Sequence, residues 1–222
     1  MNNRCLLALV CAFGLTACKT EIAVDLYASD LVGVTEGSSF TAPVVLGLEM
    51  SSSECEENGA GMVDAMSGQL NDVEFIGCAR NNFDHFARYR AQVEILDIKD
   101  GQTRTDDALA LGVEAKENRY DVFFVSNPDA AQQIWNNLPE DLTKYQTFNL
   151  KPRLAAVFNN DLRKDVTVVT DDVFADGVPV QGMAQHTLGR RDQVELRLSD
   201  VTNAAFADSP TLSHIVSFAV IE

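Results

Sequence analysis

Residues 88–95 read Arg-Tyr-Arg-Ala-Gln-Val-Glu-Ile, and this stretch decides the fold. Tyr89, Ala91, Val93 and Ile95 alternate with polar or charged residues. In a β-strand successive side chains point to opposite faces, so this period of two places the apolar side chains on one face and the polar ones on the other. The stretch therefore predicts a half-buried strand in a sheet that packs against a core on one side.

The same alternation recurs on both sides of this stretch. It is clear in residues 22–26 and 44–50, where apolar residues occupy every second position. Further strand candidates are residues 120–125, 154–158, 165–169, 194–198 and 215–221. Turn residues separate several of them: Asp100-Gly101, Asp176-Gly177 and Asn159-Asn160-Asp161. Strands joined by such short turns are antiparallel.

One helix has clear start and stop signals. Asn127 is a suitable cap, Pro128 suits the first position, and Pro139 marks the end. Between them, apolar residues follow at helical spacing: Ala131, Ile134, Trp135 and Leu138.

A weaker helix is predicted through Met62, Met66 and Leu70, although three glycines in the same segment oppose it. Together these patterns predict an α+β fold, with a mainly antiparallel β-sheet and one or two covering helices.

The N-terminus has the layout of an export signal. Arg4 precedes an apolar stretch, residues 5–15, which is shorter than the roughly 20 residues of a permanent membrane span. The stretch ends in Leu15-Thr16-Ala17-Cys18, which resembles the lipobox of bacterial lipoproteins. Leu15 fits a lipobox but not the small-residue rule of ordinary signal cleavage. The resemblance covers only the N-terminus and identifies no family for the body.

This resemblance implies that residues 1–17 are a signal peptide and that Cys18 is lipidated. Removing 17 of 222 residues leaves 205, so we expect a single globular domain over residues 18–222. Lys19 stands where an Asp would be the usual signal for retention in the inner membrane, which favours the outer membrane. Only about three residues separate Cys18 from the first predicted strand, so the body is expected to lie close to the membrane.

The chain is strongly acidic, with a formal net charge of −16, and loss of Arg4 with the signal makes it −16 − 1 = −17. Such a charge repels phosphates, so no nucleic-acid partner is expected. The charge is interpreted as serving solubility or reflecting a saline habitat, and the alternative is that it recruits cations or basic partners.

Five cysteines are present, and Cys5, Cys11 and Cys18 belong to the signal and the anchor. Cys55 and Cys78 remain, and two thiols in an oxidising compartment are expected to form a disulfide. The alternative of a metal site is weaker because no CxxC motif or nearby His supplies further ligands.

Catalytic signatures are absent from the sequence. His85, His186 and His214 are far apart and belong to no metal-binding spacing, and no GxSxG motif occurs. The adjacent Asp84 and His85 point to opposite faces if they lie on a strand. Acidic groups around Cys55, at 106–107 and at 171–172, are interpreted as solvated loops rather than calcium sites. No catalytic, metal or cofactor site is therefore predicted, and the chain is interpreted as more plausibly a non-enzyme.

Three functions follow from these observations. The first is an outer-membrane lipoprotein with a non-enzymatic role, which binds an envelope protein partner or supports an envelope assembly. The second is a carrier of a small apolar or lipid ligand, held between the sheet and the Trp135 helix. The third is an envelope hydrolase, or a phage- or plasmid-borne lipoprotein that blocks a surface receptor.

Replacing the lipid-accepting cysteine tests the anchor directly. We expect Cys18→Ser to move the protein out of the membrane fraction, because that thiol is the only site for the lipid. Cell fractionation and metabolic labelling with palmitate measure this, and Cys11→Ser within the signal is the matched control. Unchanged membrane association and labelling of Cys18→Ser would refute the lipoprotein interpretation.

Overall fold

The computed structural model describes residues 19–81, 84–99, 105–143, 152–203 and 212–221. The predicted signal peptide (residues 1–17), Cys18 and the predicted Asp100-Gly101 turn lie outside these ranges.

Thirteen strands form one curled sheet, and its pairings are antiparallel except for β1 with β7 and β4 with β5. The strands are β1 (Thr20–Tyr27), β2 (Phe40–Glu49), β3 (Asn71–Asn81), β4 (Asp84–Asp97), β5 (Leu109–Lys116), β6 (Arg119–Ser126), β7 (Pro152–Asn159), β8 (Val166–Asp171), β9 (Val173–Ala175), β10 (Val178–Pro179), β11 (Met183–Leu188), β12 (Gln193–Leu198) and β13 (Leu212–Val220). Their spatial order is β10-β9-β12-β7-β1-β2-β4-β5-β6-β13-β8-β11, and β3 also pairs with β4. The predicted α+β fold with a mainly antiparallel sheet is confirmed.

Short helices accompany this sheet. They are α1 (Ala28–Thr35), α2 (Ser52–Asn58), a 3-10 turn (Ala60–Met62), α3 (Val63–Met66), α4 (Pro128–Asn137) and α5 (Glu140–Thr143). Helix α4 is the one predicted from its signals, and the Asn127 side chain accepts hydrogen bonds from the first backbone N–H groups. The weaker helix, predicted through Met62, Met66 and Leu70, is not one continuous helix. The segment forms α2, the 3-10 turn and α3 in succession, and Leu70 lies beyond the end of α3. Helix α1 was not predicted.

Residues 166–175 form two successive strands, β8 and β9, which belong to opposite ends of the spatial strand order. β8 pairs with β13, whereas β9, one residue later, pairs with β12. Asp172 joins them with a φ of 50°, a left-handed conformation that breaks the run of an extended strand. The sheet therefore curls back on itself, and the rings of Phe158 on β7 and Phe218 on β13 meet in its interior with centroids 5.0 Å apart.

The α2–α3 segment packs on the buried face of β4. The Tyr89 hydroxyl, fully buried, donates a hydrogen bond to the Gly59 carbonyl and lies 3.3 Å from the Met62 sulfur. The predicted disulfide is present in the structure, and it joins Cys55 on α2 to Cys78 on β3. Closing a loop with a sequence separation of 23 residues contributes about 3 kcal/mol to stability. Among the described residues, no helix combines the length and the apolar character needed to cross a membrane.

Candidate functional site

A polar cluster lies on the outer face of β5, β6 and β13, around the buried Asp121. Lys116 Nζ lies 2.7 Å from Asp121 Oδ2, and Arg119 Nε lies 3.0 Å from Oδ1. The Ser217 hydroxyl donates a hydrogen bond of 2.6 Å to Oδ1. His214 Nε2 lies 3.0 Å from the same Ser217 oxygen. The cluster therefore places an aspartate, a serine and a histidine in one hydrogen-bonded chain.

An irregularity in β13 makes this arrangement possible. Ser217 pairs directly with Asp121, and His214 pairs with Phe123, but the register shifts between His214 and Val216. Residues three apart on a regular strand face opposite sides, and one extra residue in a bulge brings them to the same side. The bulge thus places His214 and Ser217 on one face, next to Asp121.

Burial and charge act in opposite directions on Asp121. Burial raises its pKa, but the hydrogen bonds from Lys116 and Ser217 and the nearby Arg119 charge outweigh that and hold the pKa below its usual value of 3.8. The same contact with Asp121 raises the pKa of Lys116. Asp121 is therefore an ionised acceptor and a poor general base at neutral pH.

His214 is the group of the cluster whose pKa is lowered by burial. Burial lowers its pKa from the usual 6.5, and the Asp121 charge offsets only part of that effect. Its ring packs edge-on against Phe123 with centroids 5.5 Å apart. A neutral imidazole is therefore the form that this site favours.

The order of the three groups differs from that of a hydrolase triad, in which the histidine stands between the aspartate and the nucleophile. Here Ser217 stands in the middle. Its proton is donated to Asp121, so His214 Nε2 donates to the Ser217 oxygen rather than taking its proton. Ser217 is also only 7% exposed. The arrangement stabilises a carboxylate and does not activate a nucleophile.

This cluster was not predicted from the sequence because its members belong to no short motif. The available signal was a charged Asp121 inside an otherwise apolar strand, together with His214 and Ser217 in another apolar strand. Polar residues at such positions are costly unless they hydrogen-bond to one another.

The other candidates from the sequence are dispersed over the fold. Asp84 accepts a hydrogen bond from Lys19 Nζ, while the neighbouring His85 pairs with Arg80 in the β3–β4 ladder. Glu54 forms a capping box with Ser51 at the start of α2. Asp107 accepts from Asn71, and Asp172 accepts from the Gly182 N–H. In the ranges that the structure describes, no group of three or more His, Cys, Asp or Glu is arranged to hold a metal ion.

His186 lies on β11, opposite Val168 of β8, and thus on the inner side of the curled sheet. Its Nε2 atom is buried, as is the hydroxyl of the fully buried Thr170 on β8. Neither atom has a hydrogen-bond partner among the described residues. Leaving such a group unsatisfied costs about 1–3 kcal/mol of stability. Besides the Asp121 cluster, these two atoms are therefore a second group of buried polar atoms to consider as a site, and they are the ones without partners among the described residues.

Comparisons with known proteins place the chain by family only. A family model described as "Domain of unknown function (DUF7424)" matches residues 20–220. The comparison with curated proteins found no match, and the comparison with solved structures found none either.

The pH dependence of stability tests the His214 environment. Because the folded state lowers the His214 pKa, the stabilisation it contributes is complete above the unfolded value near 6.5 and is lost as pH falls through the folded value. We expect the unfolding free energy of the parent to decline over that acidic range, and to decline less in His214→Gln. Urea unfolding at a series of pH values measures this, with His85→Gln as the control. Parallel curves for the parent and His214→Gln would contradict the prediction.

Proposed function

We propose that this chain, which belongs to the DUF7424 family, is an outer-membrane lipoprotein that holds its body against the membrane and binds a protein partner without catalysis. Attachment through a lipid on Cys18 restricts the body to a layer beside the membrane. In that layer a partner has access mainly to the end of the fold that faces away from the membrane, because the end next to Cys18 is held at the membrane by the lipid.

The observation that carries the proposal is the way in which Lys19 is held. Its backbone N–H donates to Glu49 Oε2 at 2.8 Å, its carbonyl accepts from the Glu49 N–H at 2.9 Å, and its ammonium group lies 2.6 Å from Asp84. β1 begins at the next residue, Thr20. The chain is therefore fixed to the sheet one residue after Cys18, which supports an anchor without a tether.

Within the described residues, the cluster around Asp121 has no activated nucleophile, which supports a binding role over hydrolysis. In the cluster around Asp121, the Ser217 proton is already donated to the carboxylate. Exposed apolar side chains on β9, β10 and β11 also favour protein contacts: Phe174, Val178 and Met183 are 41%, 64% and 81% exposed. β10 and β11 are the outermost strands of the spatial order, and an edge strand can pair with a strand of a partner.

A second candidate function, a carrier of a small apolar ligand, is favoured by one observation. The unpartnered Thr170 hydroxyl and His186 Nε2 are of the kind that orients a ligand by its polar end. They lie on β8 and β11, not beside the Trp135 helix where the sequence analysis located the ligand. Native mass spectrometry of the full-length protein distinguishes the two functions, because a clean ligand-free mass removes the carrier.

Insertion of a flexible linker tests the close-docked body. We place a Lys followed by about 15 Gly and Ser residues between Cys18 and Lys19, which keeps the residue after the cysteine and the contacts of Lys19. Such a linker has a root-mean-square length of about 20 Å. In reconstituted vesicles, energy transfer from Trp135, the single tryptophan, to a dansyl-labelled headgroup is expected to fall.

The control carries the same linker after Glu222 and should transfer energy as the parent does. Equal transfer in the parent and the Cys18–Lys19 insertion would show that the body is not held at the membrane. That result would remove the proposal's main support.

A further inference from the structure

Four exposed cations come together at two neighbouring turns of this acidic protein. Arg163 and Lys164 lie between β7 and β8, and Arg190 and Arg191 lie between β11 and β12. All four are exposed. We call these four residues the basic tip.

One buried side chain joins the two turns. The Asn160 amide donates to the carbonyls of Lys164, Leu188 and Gly189 at 3.0, 2.9 and 3.1 Å. Its backbone N–H donates to the Asp192 carbonyl, and its own carbonyl accepts from the Arg191 N–H at 2.7 Å. Asn160 is fully buried. The basic tip is therefore built on a fixed backbone, so little ordering of the backbone is needed when it binds a ligand.

The basic tip differs from most other described cations in its lack of ion pairs. Elsewhere in the described residues, the cationic side chains that lie within 4.0 Å of a carboxylate include Lys19, Arg90, Lys99, Lys116, Arg119, Arg153 and Arg197. Across the described ranges, no such pair involves Arg163, Lys164, Arg190 or Arg191. The guanidinium and ammonium donors of the basic tip are thus open to an incoming anion.

Carboxylates are present at the same turns, but local backbone and hydroxyl groups engage two of them. Asp161 accepts from the Ser29 N–H and hydroxyl, and Asp192 accepts from the Gly189 N–H at 2.9 Å. Asp165 is the third, and its Oδ1 lies near Gly189. Arg191 has a backbone φ of 70°, a left-handed conformation in which Gly or Asn is favoured for steric reasons. The preference of the backbone therefore does not explain why an arginine stands at this position.

We infer that the basic tip is the docking surface for a carboxylate-rich segment of a protein partner. Arginine recognises carboxylates through a planar pair of N–H donors, and three of the four residues of the basic tip, Arg163, Arg190 and Arg191, have this group. In a chain of net charge −16, the basic tip is a surface of the described part of the fold where an acidic segment would meet open positive charge.

The position of the basic tip favours a protein over a membrane as its ligand. This step rests on the proposed lipid anchor. β1 runs beside the parallel β7, with Thr20 opposite Pro152 and Tyr27 opposite Asn159. The basic tip follows Asn159, so it lies at the end of β1 away from Lys19, about 25 Å along an eight-residue strand. That distance exceeds the Debye length of about 8 Å, so headgroups at the Lys19 end exert little force there. The overall charge disfavours a nucleic acid.

The test uses the full-length protein, purified in non-ionic detergent, and a short fluorescein-labelled peptide of alternating Glu and Gly. The tip variant combines Arg163→Gln, Lys164→Gln, Arg190→Gln and Arg191→Asn, the last because Asn tolerates the left-handed conformation. The control variant removes four exposed, ion-paired cations: Arg90→Gln, Lys99→Gln, Arg153→Gln and Arg197→Gln. Both variants lose the same charge, and their thermal unfolding is compared with that of the parent.

By fluorescence anisotropy, we expect the tip variant to bind the peptide at least about tenfold more weakly than the parent, and the control to bind within about twofold. Added salt should weaken parent binding, and a Gln-Gly peptide should not bind. Equal binding by both variants, or no binding by the parent, would overturn the inference. So would tip-dependent binding to phosphatidylglycerol vesicles without peptide binding, which would assign the surface to lipid. Because binding is measured in detergent, failure of the anchor appears separately, in the Cys18→Ser fractionation.

Discussion

The fold depends on one constraint, which is that the broad apolar face of the sheet must be covered. The chain turns at Asp172 in a way that allows the sheet to cover this face itself. At this residue the chain leaves the β13 side of the sheet and joins the β12 side, and its carboxylate accepts the Gly182 N–H at 3.0 Å. The curl that results brings Phe158 against Phe218. Without that closure the inner side chains of β7 and β13 would face water, and burial of apolar surface is the main favourable term in folding.

A strand of this fold can be predicted from the sequence when one of its faces is buried and the other is exposed. It is harder to predict when both faces are buried. Residues 88–95 alternate because β4 is buried on one face, and the prediction there was right. β5 was missed because Leu109 to Val113 are all buried, so no alternation appears. Helix α1 was missed because it follows β1 directly and its N-cap, Tyr27, makes no side-chain hydrogen bond. A start signal was thus absent from the sequence.

The Asp121 cluster and the full extent of the basic tip were missed for a related reason. Each is assembled from residues that are far apart in the chain, by a strand register in one case and by the hydrogen bonds of Asn160 in the other. In the sequence, Arg190 and Arg191 after Gly189 fit either a site for an acidic partner or a surface turn, but nothing shows that Arg163 and Lys164 lie beside them. The Cys55–Cys78 pair was predictable because counting cysteines left only one pairing within the body.

The place of β1 within the sheet has a mechanical consequence. A pull on the chain from residue 18 first meets the contacts of Lys19 and then the end of β1, which is hydrogen-bonded to β2 on one side and to β7 on the other. A force directed along β1 runs across these hydrogen bonds, which are roughly perpendicular to the strand in the antiparallel pair with β2 and slanted in the parallel pair with β7. Both ladders are then loaded together instead of opening one bond at a time. With a lipid on Cys18, as proposed, tension from the membrane would act on both ladders at once.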